Sequence, residues 1–340
     1  MELNYSPSLY HRYLMDNLKQ DMHFTGGDVK AWQTVLDEKL RELVGLWPDE
    51  KVDLNVRSLW KKEHQYGTIE KIVFASEPYV DVPAYLCLPK DAAKPYPLFV
   101  CLQGHSTGMH NSIGVSLENE DVAIEIEGDR DFGVSAMKNG IATLCIEQRS
   151  FGERLEKVQK MVSPHMCHDA VMHALKLGRT LTVERVYDVE RGLDYLATRD
   201  DIDMARIGVM GNSGGGTVSL YAAALLKNRL AYCMPSCSFC TFRDSIMSIY
   251  HCSDNYIPGL MCHAEMSDIM GLFAPNPVTI VAGRTDEIFP VAAVKEAFAH
   301  LKSIYAAAGA EDNCQLVIGS EGHRFYADDA WPIMKKMMSN

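Results

Sequence analysis

The stretch Arg206-Ile207-Gly208-Val209-Met210-Gly211-Asn212-Ser213-Gly214-Gly215-Gly216-Thr217 places one serine in a G-x-S-x-G setting, at Gly211, Ser213 and Gly215. A short apolar run precedes it. The segment after it, Val218 through Leu226, is rich in alanine and leucine, so the pattern reads strand, tight turn, helix. Glycines flank the serine where the turn is too tight for neighbouring β-carbons, and the hydroxyl is lifted to the helix N-terminus. A plain glycine-rich turn is the bland alternative. A phosphate loop would want G-x-x-x-x-G-K-[ST], and no lysine follows here. A serine hydroxyl is a weak nucleophile at neutral pH and needs a base that is itself oriented by an acid.

Both partners are available downstream. Gly283-Arg284-Thr285-Asp286-Glu287 follows the apolar run 278–282, and Gly319-Ser320-Glu321-Gly322-His323 follows the run 315–318. Asp286 and His323 therefore fall at the carboxyl ends of consecutive predicted strands, the edge at which open α/β sheets bind ligands. Glu287 competes with Asp286 for the role of acid, and Asp286 is nearer the strand end. His323 competes with a surface-loop reading, since the chain has 12 histidines. A developing oxyanion needs two backbone donors. By position these are the amides of Gly214 and of His105, the latter in the loop Gln103-Gly104-His105-Ser106-Thr107-Gly108. Gln103 and Arg149 are candidate substrate contacts. Arg149 and Arg154 could clamp a substrate carboxylate or simply bury salt bridges.

These residues need a scaffold. Leu36, Leu40, Leu43 and Val44 recur at helical spacing before Pro48, which predicts a helical extension over 1–48 and a main domain over 49–340. Residues 52–88 read as antiparallel strands. Beyond them, apolar runs at 97–102, 141–146, 207–210, 278–282 and 315–318 alternate with helical patterns such as 183–196 and 291–305. That alternation predicts a mostly parallel central sheet covered by helices on both faces.

The chain has 340 residues, of which 47% are hydrophobic and 23% charged, so disorder is excluded and a full core can form without staples. The net charge of −12 argues against nucleic acid or an anionic membrane as partner. No basic-then-apolar leader and no 18-residue apolar run is present, so the expectation is a cytoplasmic location. The ten cysteines, several within apolar runs, are expected to be free buried thiols. Cys237-Ser238-Phe239-Cys240 is a C-x-x-C with His251, Cys252, Cys262 and His263 nearby. The insertion 150–180 holds His165, Cys167, His168 and His173. Neither group closes a ligand set, so no metal is expected. The apolar faces of the N-terminal helices leave a homo-oligomer open.

Taken with Glu147-Gln148-Arg149-Ser150-Phe151-Gly152-Glu153-Arg154 and Glu321-Gly322-His323-Arg324-Phe325-Tyr326, these motifs resemble the α/β-hydrolases of the acetyl xylan esterase and dienelactone hydrolase-like group. The likeness covers roughly residues 50–340. It implies the α/β-hydrolase fold and cleavage of carboxylic esters, carbohydrate or small-molecule acetyl esters among them, through an acyl-enzyme on Ser213. Asp286 and His323 complete the triad, and no cofactor is needed. The cephalosporin C deacetylase branch of that group has Arg-Gly-Gln where this chain has Arg149-Ser150-Phe151, Gln where it has Gly214, and His-Glu where it has His323-Arg324. The serine nucleophile separates the chain from true dienelactone hydrolases, which use cysteine. An amidase or peptidase would share the triad. A non-catalytic hydrolase-like binding protein would be expected to have lost part of it.

Overall fold

A computed structural model describes residues 5–48, 50–156 and 167–339. The strands assemble into one nine-stranded sheet. In chain order the strands are β1 (Arg57–His64), β2 (Gly67–Glu77), β3 (Val80–Pro89), β4 (Tyr96–Leu102), β5 (Ala142–Ile146), β6 (Ile202–Asn212), β7 (Tyr232–Ser236), β8 (Val278–Gly283) and β9 (Cys314–Gly319). The helices are α1 (Pro7–Asp16), α2 (Val29–Val44), α3 (Phe132–Lys138), α4 (His168–Lys176), α5 (Leu181–Leu196), α6 (Gly214–Leu225), α7 (Met266–Gly271), α8 (Val291–Ala307) and α9 (Ala327–Met338). The sheet order is β1-β2-β3-β5-β4-β6-β7-β8-β9. β1 to β3 pair antiparallel, β3 pairs antiparallel with β5, and the rest is parallel.

The period-2 geometry of the strands sorts the core into two layers. Leu98, Val100 and Leu102 of β4 pack with residues of α2, α5, α6, α7 and α8 on one face. Phe99 and Cys101 point to the other face, where Phe132 of α3 and Trp331 of α9 cover them. Both faces are buried, which is why these strands read as unbroken apolar runs rather than alternations.

The N-terminal helices differ from one another. α2 buries Leu36, Leu40 and Val44 in the main core, and Asp28 caps it by accepting from the amides of Lys30 and Ala31. Gln33 Nε2 ties it to the carbonyls of Gly271 and Ala274 at 2.9 and 2.8 Å. α1 buries no residue. No helix among the described residues is long and apolar enough to cross a membrane.

The structure corrects the sequence reading at two points. β7 was absent from it, because Pro235 interrupts a five-residue run and proline demotes a strand pattern. Yet β7 lies between β6 and β8 and completes the sheet. The expectation of ten free thiols also fails: Cys167 and Cys252, 85 residues apart in sequence, are joined sulfur to sulfur. The other eight cysteines are free, and all of these but Cys262 are buried.

Candidate active site

The sheet order reverses direction at β4. From there the chain continues to β5 on one side and later to β6 on the other. Such a switch point opens a crevice at the carboxyl ends of the two strands. Ser213 stands at the end of β6 on its rim, and the Gly104–His105 loop follows β4 on the other. A β-carbon at Gly104 would lie 3.1 Å from the Ser213 Cβ, so the two loops are in contact.

Ser213 has φ 56° and ψ −123°, a conformation that a side chain rarely adopts and that costs on the order of 1–3 kcal/mol. Its amide donates to the Ser236 carbonyl at 2.9 Å, and its carbonyl accepts from the Thr217 amide at 2.9 Å, which fixes the turn. Gly211 and Gly215 allow the turn to close. A β-carbon at 215 would meet the Leu102 carbonyl oxygen at 2.1 Å, and one at 211 would meet Gly215 backbone atoms at 2.5 Å. Gly214 is the first residue of α6, where the amide has no carbonyl four residues back to bond. A side chain there would strike the His105 ring, 2.7 Å from Cε1.

Asp286 and His323 meet as a pair. His323 Nδ1 lies 2.8 Å from Asp286 Oδ2. The other carboxylate oxygen accepts from the amides of Ile288 and Phe289 at 2.9 and 3.2 Å. Asp286 is buried, and burial alone would raise its carboxyl. The hydrogen bond and charge of His323 outweigh that and hold it below the usual range. Glu287 is exposed. The His323 ring stacks on Phe289, centroids 5.9 Å apart. β7 links this loop to the serine turn: Ser236, whose carbonyl receives the Ser213 amide, has its hydroxyl 3.3 Å from the Arg324 carbonyl.

Three neighbours escaped the sequence reading as site residues. The His251 ring sits 6.3 Å from His105 and 6.2 Å from Phe289, and burial lowers its basicity. Asp254, fully buried, holds His105 Nε2 at 2.9 Å and Arg185 Nη1 at 2.6 Å. The sequence signal for His251 and Asp254 is their place in a histidine- and cysteine-bearing insertion, whereas Arg185 lies in α5, outside it. Beside His105 opens a cavity of about 590 Å³, lined by Thr107, His110, Phe151, Leu155 and Cys252 among others.

The two candidate substrate contacts have other partners. Gln103 is buried, and its Nε2 donates to Ser112 Oγ and to the Arg130 carbonyl, both at 2.8 Å. It braces the loop that carries His105. Arg149 is engaged by Glu77 at 2.7 Å, Glu184 at 3.0 Å and Asp188 at 2.9 Å, which is the salt-bridge alternative for this residue. Arg154 adds a bond to Asp188 at 2.7 Å. Cys237 and Cys240 are buried, and burial pushes both thiols up to about 12, so neither is poised to ionise. His165 lies outside the described residues.

A stability experiment follows from the arginine cluster. Burial would raise the Asp188 carboxyl, but Arg149 and Arg154 hold it well below the usual range. Arg149→Ala strands that carboxylate with one partner and should cost about 3 kcal/mol in denaturant unfolding at neutral pH. A depressed carboxyl contributes its stability above the unfolded value of about 4 and loses it as pH falls through the folded value. The gap between wild type and variant should therefore narrow as pH drops below about 4. The KM for an ester should change little. A large rise in KM without a loss of stability would restore a substrate role for Arg149.

Comparison with known proteins agrees with this architecture. Residues 174–336, which include Ser213, Asp286 and His323, match the model of the prolyl oligopeptidase family. The Bacillus subtilis (strain 168) protein YtaP, provisionally described as a hydrolase, is 26% identical over 289 residues, covering 84% of this chain and 92% of YtaP. Among solved structures, a Bacteroides fragilis NCTC 9343 protein provisionally described as an acetyl xylan esterase superposes with a TM-score of 0.76 at 16% identity, over 94% of this chain and 83% of that one. A glucuronoyl esterase from Solibacter usitatus superposes with a TM-score of 0.64 at 16% identity, over 92% of this chain and 93% of that one.

Proposed function

We propose that this chain, which has the α/β-hydrolase fold, hydrolyses carboxylic esters through an acyl-enzyme on Ser213. The observation that carries the reading is the strained serine at the switch-point crevice, with the hydrogen-bonded Asp286–His323 pair on the same sheet edge. Ser213 Oγ attacks the ester carbonyl while His323 Nε2 takes its proton. Asp286 holds Nδ1–H and stabilises the imidazolium that forms. The amides of Gly214 and His105 donate to the oxyanion, the first reinforced by the α6 N-terminus. The proton returns to the leaving alcohol, and water repeats the sequence to release the acid. No metal or cofactor takes part in these steps.

The cavity joins the site through His105, its lining including neither Ser213 nor His323; on this reading it takes a mid-sized alcohol or acyl group, with His110, Thr107 and Ser106 offering polar contacts and Phe151 and Leu155 an apolar wall. Esters of carbohydrates fit that mixture, and the structural neighbours named as acetyl xylan and glucuronoyl esterases support the same class. The family match over 174–336 favours a second reading, cleavage of a peptide or amide bond on the same residues. The test is to treat the purified chain with a fluorophosphonate and p-nitrophenyl acetate, and to compare an ester with its matched anilide. Labelling at Ser213 with ester turnover is expected. Labelling with faster anilide cleavage would select the second reading, and absence of both would remove the hydrolase assignment.

A further inference from the structure

The two cysteine-bearing insertions, neither of which closes a ligand set in sequence, converge behind His105. Cys167 precedes α4, Cys252 precedes Asp254 by two residues, and His105 arrives from the loop after β4. His105 Nε2, both sulfurs and an Asp254 oxygen all lie within 4.8 Å of one another. We propose that, with Cys167 and Cys252 reduced, these four residues bind one divalent metal ion of the zinc class. The inference does not depend on the Ser213 chemistry, although His105 and both cysteines also line the cavity beside that loop.

Several observations carry it. Two thiolates, an imidazole nitrogen and a carboxylate are the donors that zinc takes in four-coordinate sites. The Cα atoms of the cysteines are 7.5 Å apart, beyond the ~6.8 Å that usually limits a disulfide and compatible with two sulfurs on one ion. The charges also close. Asp254 and two thiolates offset a divalent ion together with the buried Arg185 guanidinium, so the loaded site is neutral in a place where a net charge would be expensive. Finally, the carboxylate is already oriented from outside the set, by Arg185 Nη1 at 2.6 Å on one oxygen and Asn255 Nδ2 at 2.8 Å on the other. Outer contacts of that kind accompany metal-ligating groups. An ion held here would fix the His105 loop and act as a positioning element.

The experiment uses the full chain. Tris(2-carboxyethyl)phosphine reduces the disulfide: water supplies the oxygen of the phosphine oxide and the two protons of the thiols. Zinc binding then releases those two protons. After desalting, elemental analysis should find about one zinc per reduced chain and at least roughly ten-fold less in the oxidised chain and in C167S/C252S. C262S, at the exposed cysteine, should retain it. Cobalt in place of zinc should show sulfur-to-metal charge-transfer absorption in the reduced wild type, a readout that survives if the double variant fails to fold. Zinc retained equally by the oxidised chain or by C167S/C252S, or a cobalt complex without that band, would overturn the site.

Discussion

Ser213→Ala is expected to lower kcat by on the order of 10⁴–10⁶-fold and to abolish fluorophosphonate labelling, with the fold intact. The variant keeps the β-carbon, so the contacts of the turn and its strained backbone persist and only the nucleophile is lost. On the proposed mechanism the residual rate rests on the oxyanion donors, which alanine leaves in place. Ser213→Gly sharpens the test. Glycine adopts φ 56° without penalty, so this variant should be equally inactive yet no less stable, gaining up to about 1 kcal/mol after its own entropic cost. Stability and activity would then move in opposite directions at one position, as expected of a strained reactive residue. Retention of about a tenth of wild-type activity by either variant would mean that another group attacks. The readouts are steady-state kinetics, labelling followed by peptide mapping, and denaturant unfolding.

What the sequence disclosed, and what it concealed, follows from the range of the interactions. β4, β5 and β8 were legible because they are buried on both faces, and their apolar runs, like that of the partly buried edge strand β9, end within a residue or two of the observed strands. α2 and α8 were legible because one stripe of each is buried, and α5 because its apolar residues keep the helical period although nearly all of its surface is covered. The serine turn was legible because its glycines answer a local steric demand, at Gly211 and Gly215, that no other residue meets. β7 was hidden by Pro235, which the sheet tolerates in a five-residue strand between β6 and β8. The wall formed by His251 and the brace formed by Asp254 were hidden for a different reason. Asp254 earns its place through His105, 149 residues away, and Arg185, 69 residues away, and spacing carries no signal of such pairings. Arg149 shows the converse. Its type left a substrate clamp and buried salt bridges both open, and the folded chain surrounds it with Glu77, Glu184 and Asp188.

The choice of acid can be settled by two adjacent substitutions. Asp286→Asn should reduce kcat by on the order of 10³–10⁴-fold, whereas Glu287→Gln should leave it nearly unchanged. The asymmetry is geometric. One Asp286 oxygen accepts from the amides of Ile288 and Phe289, and this anchors the side chain and leaves the other to face His323 Nδ1 at 2.8 Å. An asparagine carbonyl would keep the first role, since two amide donors demand an acceptor there. Its NH₂ must then point at Nδ1, which makes Nδ1 the acceptor and moves the ring proton to Nε2. The nitrogen that should take the serine proton would already carry one. The variant should fold normally, because size and anchoring are conserved, and KM should move far less than kcat. Glu287 is exposed and lies just before Phe289 and the start of α8 at Val291, where its charge faces solvent near a helix N-terminus. Losing that charge should cost only a few tenths of a kcal/mol in stability. Steady-state kinetics of both variants on one ester, with unfolding curves as the control, separate the cases. If Glu287→Gln is the damaged enzyme, the hydrogen bond between Asp286 and His323 has a structural role and the acid must be reassigned.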